Sequence, residues 1–151
     1  MVGIPGSGKS TISSRFRDKG WVIVSQDELG DRRKCETASH DALQNGYNVV
    51  IDRTNIDEHQ RSHWLRIARE CRVPATGVAA LYLHVDVKTC KDRVMSRRGH
   101  PSLKPERSSL GIIDRFVGDL QRPSEREGFG RVVVFNEGDS LWCQALVQLT
   151  G

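Results

Sequence analysis

The chain has 151 residues, 37% of them hydrophobic and 28% charged, with a formal net charge of +4, which is the size and balance of one globular domain built round a single core. No apolar run approaches the roughly 20 residues of a membrane-spanning helix, and the opening MVGIPGSGKS lacks the basic start and apolar stretch of a secretory signal, so an intracellular setting, nucleus or cytoplasm, is expected. Cys35, Cys71, Cys90 and Cys143 are far apart with no CxxC pair, which argues against a zinc or redox centre and for reduced thiols.

The first element is a loop. Gly3 to Ser10 reads GIPGSGKS, a full G-x-x-x-x-G-K-[ST] match, the pattern whose backbone N–H groups wrap round nucleotide phosphates. Its candidate ATP-binding residues are Gly3, Pro5, Gly6, Ser7, Gly8, Lys9, Ser10 and Thr11, with Lys9 charging the β and γ phosphates and Ser10 holding magnesium. A helix from about Lys9 to Arg17 aims its positive end at the same anion. Only Met1 and Val2 precede the loop, where a central strand normally stands, so the numbering is expected to start within that strand of a longer protein.

WVIVS (Trp21 to Ser25) is an apolar strand pattern followed by Asp27, a carboxylate placed to orient an acceptor hydroxyl and take its proton. Glu28 competes for that role, although an acid at a helix start also serves the helix dipole. NVVID (Asn48 to Asp52) is a second strand, and Asp52 at its end matches the Walker B position for magnesium, with a helix cap as the plain alternative. From Asp57 to Arg72, Trp64, Leu65, Ala68 and Cys71 share a helical face. His59 and His63 sit four apart, but the intervening Arg61 would repel a metal, and Trp21, Trp64 and Trp142 fall within apolar patterns that suit packing better than base stacking. VAALYLHV (Val78 to Val85) and RVVVF (Arg131 to Phe135) complete the strands, and RRGHPSLKPERSS (Arg97 to Ser109) breaks the pattern between two helices as a lid would. Strands alternating with helices predict an α/β fold of the P-loop NTPase type: a three-layer sandwich with a mainly parallel central sheet, a single domain over residues 1–151, and a helical lid around 93–109.

GIPGSGKS, SQDELGDRRKC, ALQNGYNVVIDRTNIDEHQR and DRVMSRRG, in that order, resemble the kinase domain of the polynucleotide kinase/phosphatase family over nearly the whole chain. Within it, the chain is similar to the kinase-like modules of aprataxin-like fusion proteins, which share a late EGF turn, here Glu127 to Phe129. The resemblance implies ATP-dependent phosphorylation of the 5'-hydroxyl end of DNA or RNA, with Mg2+, in a protein fused to strand-break repair domains. It gives Lys9 and Ser10 their phosphate and magnesium roles, makes Asp27 the general base and Arg97 the lid arginine over the transferring phosphate, and pairs Arg93 with Arg97 one helical turn apart. Thr54, Asn55 and Arg61 match the segment facing the acceptor end. Where some relatives carry an arginine three residues after the acid, this chain has Gly30, so Arg32 or Arg33 would substitute, and Arg98 adjoins Arg97 closely enough to shift the lid register by one. The bland alternative for the lid arginines is a solvated basic helix face.

Arg32, Arg33, Arg53 and Arg61 follow Asp27 and Asp52 on neighbouring strand exits and are expected to converge on one rim as the substrate-binding set. A small-alcohol kinase uses the same loop, acid and lid; a nucleotide-gated module that only grips nucleic acid ends would have no use for the base Asp27.

Overall fold

The computed structural model describes residues 1–96 and 107–137, and every structural statement that follows refers to them. The four apolar stretches are strands: β1 (Val22–Ser25), β2 (Val49–Asp52), β3 (Ala79–His84) and β4 (Arg131–Asn136). Between them lie α1 (Lys9–Arg17), α2 (Gln26–Leu29), α3 (Arg32–Gln44), α4 (Glu58–Glu70), α5 (Val87–Ser96) and α6 (Arg107–Asp119).

Strand pairing is parallel. β1 runs beside β2 in register from Val22 opposite Val49 to Ser25 opposite Asp52, and β3 beside β4 from Ala79 opposite Arg131 to His84 opposite Asn136. Met1 and Val2 join the two halves: the Met1 nitrogen donates to the Ile51 carbonyl at 2.9 Å, while Val2 bridges Tyr82, donating to Leu81 O at 2.7 Å and accepting from Leu83 N at 2.9 Å. The order across the sheet is therefore β1, β2, Met1–Val2, β3, β4. Parallel strands need crossovers, and the helices supply them.

Period-two alternation explains which side chains each half buries. Val50 is in the main core, with Ile23 opposite it packed on the same cluster as Ile12 and Phe16 of α1 and Leu81, Leu83 and Phe135 of the other half. Val24 points the other way and is buried too, so β1 is covered on both faces, as a parallel strand requires. A second cluster, Ile4, Cys90, Val94 and Ile113, fixes the phosphate-binding loop against α5 and α6. Helices α3 and α4 start on side-chain caps, Asp31 accepting from Lys34 N and Asp57 from Gln60 N. Cys35, Cys71 and Cys90 carry no disulfide, and burial pushes the Cys90 thiol up to about 11, which makes it inert.

This topology places the carboxyl ends of β1, β2 and the Met1–Val2 segment on one rim. Asp27, Asp52 and the Gly3–Ser10 loop follow directly from those ends.

Candidate active site

The loop is shaped by its glycines and by Lys9. Gly6 has φ +85°, and a Cβ there would overlap the Cys90 carbonyl, so only glycine allows α5 to sit this close. Lys9 arches back over the loop, its Nζ donating to the carbonyls of Gly3 and Ile4 at 2.9 Å each. Ser7 Oγ is buried with no hydrogen-bond partner among the described residues. Ser10 and Thr11 are exposed in the first turn of α1. Arg93 reaches this loop from α5, donating to Gly6 O at 3.5 Å and to Glu137 at 2.9 Å. Arg93 thus lies against the Gly3–Ser10 loop, while the expected lid residues Arg97, Arg98 and His100 lie outside the described residues.

Asp52 stands at the end of β2, and Ser13 Oγ lies 2.6 Å from its Oδ2. Ser13 is buried on α1, one turn beyond Lys9, whose carbonyl is 3.0 Å from the same hydroxyl. Sequence reasoning missed it; the available signal was a serine on the face that Ile12 and Phe16 turn into the core. The hydroxyl of Ser10 and the carboxylate of Asp52 are hard oxygen donors, the chemistry that suits magnesium.

Asp27 is exposed on α2. The adjacent Glu28 is engaged by Arg17 at 3.1 Å, an exposed pair of little energetic worth that nevertheless separates the two acids: one faces α1, the other has no such partner among the described contacts. Gly30 ends α2 at φ +89°, a conformation that an arginine side chain would strain.

Two expected substrate contacts are corrected. Arg61 is buried, its side chain 3% exposed, with Nε and Nη2 on Glu127 at 2.7 and 2.8 Å and Nη1 on the carbonyls of Asn55 and Gln121 at 3.0 and 2.9 Å. Its charge is consumed internally and cannot meet an acceptor. Asn55 is buried with φ +47°; its Nδ2 donates to Met1 O at 2.8 Å and its Oδ1 accepts from Trp64 Nε1 at 2.8 Å, so both ends of the amide are occupied. Thr54 fixes the loop through its carbonyl, which accepts from Gly3 N at 3.1 Å. Trp21 packs on Phe16 with ring centroids 4.9 Å apart, and neither it nor Trp64 is a free stacking platform.

The basic rim that remains is Arg32, Arg33 and Arg53. Arg53 leaves the end of β2 with its guanidinium 5.6 Å from the Trp64 ring, and burial holds its pKa below the ordinary arginine value. Arg32 and Arg33 are exposed at the start of α3. Ser25 opposite Asp52 sets Asp27 and Arg53 on adjacent strand exits.

Residues 1–123 match the AAA domain family. The chain belongs to that family. The AAA domain of this chain has the P-loop kinase-like fold: it superposes on Kti12 from Chaetomium thermophilum, solved in complex with ADP-AlF3, with a TM-score of 0.69 over 99% of this chain and 97% of that one at 15% identity. A gluconokinase from Sinorhizobium meliloti 1021 gives 0.60 over 99% and 86% at 21% identity. Relatives in sequence include the bifunctional polynucleotide phosphatase/kinase of Schizosaccharomyces pombe, 33% identical over 87% of this chain and 31% of that protein. The transcription factor bHLH140 of Arabidopsis thaliana is 28% identical over 88% of this chain and 15% of its own length. A putative bifunctional polynucleotide phosphatase/kinase of Acanthamoeba polyphaga mimivirus is 38% identical over 46% and 17%. The chain spans less than a third of each of these relatives. No described helix is long and apolar enough to cross a membrane.

Proposed function

We propose that the chain transfers the γ-phosphoryl group of ATP to the 5'-hydroxyl end of DNA or RNA, as one kinase domain carried within a larger end-repair protein. The observation that carries the reading is the shared rim: the phosphate-binding loop, the exposed acid Asp27 and the basic trio Arg32, Arg33 and Arg53 all leave the same edge of the sheet. The similarity to polynucleotide phosphatase/kinases supports the choice of acceptor.

When bound, ATP supplies the phosphoryl group, and magnesium the charge that neutralises it. The chain does the rest. Lys9 and the loop amides would hold the phosphates, Ser10 and Asp52 would hold the metal, and Ser13 fixes the carboxylate of Asp52. Asp27 accepts the acceptor hydroxyl's proton on a carboxylate oxygen, while Arg97, with Arg93 beside the loop, steadies charge on the transferring group. Arg32, Arg33 and Arg53 hold acceptor phosphates.

The deciding experiment offers labelled ATP with matched 5'-hydroxyl DNA and RNA oligonucleotides, and separately with gluconate. Label on an oligonucleotide end is the expected result. Robust labelling of gluconate with none on either oligonucleotide would overturn the acceptor assignment in favour of a small-alcohol kinase.

A further inference from the structure

One carboxylate, Glu36, stands among the basic side chains of α3 and α4 and pairs with Arg32 of the rim. Glu36, one turn into α3 with its side chain 21% exposed, lies 3.0 Å from Arg32 Nε, 3.6 Å from His63 Nδ1 and 3.7 Å from Arg66 Nη2. Arg32 also sets Nη1 3.2 Å from His63 Nε2. Burial is the first cause that disfavours the charged forms of Arg53 and His63, Arg32 adds to it, and Glu36 opposes it. Glu36 thus offsets cations drawn from α3, α4 and the end of β2, of which Arg66 is paired more closely with Glu70, at 2.8 Å.

A carboxylate beside a guanidinium offsets the same positive charge that would attract a phosphate. Glu36 does this at 3.0 Å without closing a hydrogen bond on Arg32, its Oε1 having no hydrogen-bond partner among the described residues, so an acceptor phosphate that reaches Arg32 competes with the Glu36 charge. We propose that Glu36 is an internal competitor for the acceptor strand: it stands in for a phosphate on Arg32 and so sets how strongly the rim holds a nucleic acid end. A lone anion exchanges one partner for another at Arg32 and gains little. A strand with phosphates in a row also reaches Arg33 and Arg53, and the exchange becomes favourable. The inference rests on the acceptor assigned above.

The sign separates this from a purely structural role. Were Glu36 only a brace for Arg32, removing its charge would loosen the rim and weaken acceptor binding; as a competitor, its removal strengthens it. In the full chain, Glu36→Gln keeps the size and one accepting oxygen. Its KM for a 5'-hydroxyl oligonucleotide, and its Kd for the same oligonucleotide by fluorescence anisotropy, are expected to fall about two- to fivefold at low salt, with the ATP KM unchanged. In an Arg32→Gln background the same substitution should gain much less, because the competed donor is gone. An acceptor Kd that rises or stays level in Glu36→Gln overturns the inference. Tighter oligonucleotide binding by Glu36→Gln with no label transferred would sink the kinase assignment and leave the competitor role standing, whereas no oligonucleotide binding by either form would remove both.

Discussion

Asp27 and Glu28 are adjacent acids on one short helix, and what distinguishes them is their partners. Glu28 is turned to Arg17 on α1, while Asp27 stands exposed beyond the strand that neighbours Asp52. Asp27→Asn is therefore expected to keep ATP affinity within a few fold and to lower phosphoryl transfer by roughly two orders of magnitude or more, with Glu28→Gln close to unaltered, as read by steady-state kinetics on both variants. Activity surviving in the first and lost in the second would move the base by one residue. The glycine pattern made the phosphate-binding loop legible in the sequence because its spacing is dictated by the anion. Ser13 was not legible, since its role depends on β2 delivering Asp52 to the buried face of α1, a contact between residues 39 apart.

At the scale of elements, the strands and helices were readable because apolar runs and helical periodicity are local properties; β1, β2 and β3 lie within the stretches that their patterns marked, and β4 runs one residue further, to Asn136. Arg61 shows where that reading fails. Its place after β2 made it resemble a rim residue, but it belongs to the inner face of α4, where Glu127, 66 residues away, neutralises it. The bond unites α4, the turn at Asn55 and the segment from Gln121 to Glu127, and Glu127 is also the carboxylate that caps the Ser124 turn at 2.9 Å. Nothing local in the sequence announces a partner that distant. Removing one member of a buried ion pair leaves the other unpaired, so Arg61→Ala should cost about 3–5 kcal/mol, on the order of 10 °C in Tm by thermal denaturation. The double change Arg61→Leu with Glu127→Leu should cost less than the single one, and equal losses would show that packing, not charge, carries the contact. Oligonucleotide KM values measured well below that Tm should be unaltered by Arg61→Ala, in contrast to Arg53→Ala.

For the whole molecule, the acceptor assignment makes a prediction about salt. If several phosphates lie along the rim, the oligonucleotide KM should rise with salt by a log–log slope of roughly 0.7 per phosphate contacted for a single strand, and Arg53→Ala should flatten that slope while leaving the ATP KM nearly constant. A slope near zero would favour a small acceptor.

Met1 and Val2 hydrogen-bond to β2 on one side and β3 on the other, and the next residue, Gly3, begins the phosphate-binding loop. Ligand grip and sheet continuity are thus properties of one short peptide. By thermodynamic linkage, a nucleotide that binds only when the loop is closed must also disfavour states in which the halves part, so ADP should slow hydrogen exchange at the Val2 and Leu83 amides more than within the β3–β4 ladder. The nucleotide would then act as a clasp, holding the two halves of the sheet together through the peptide that leads into its own binding loop.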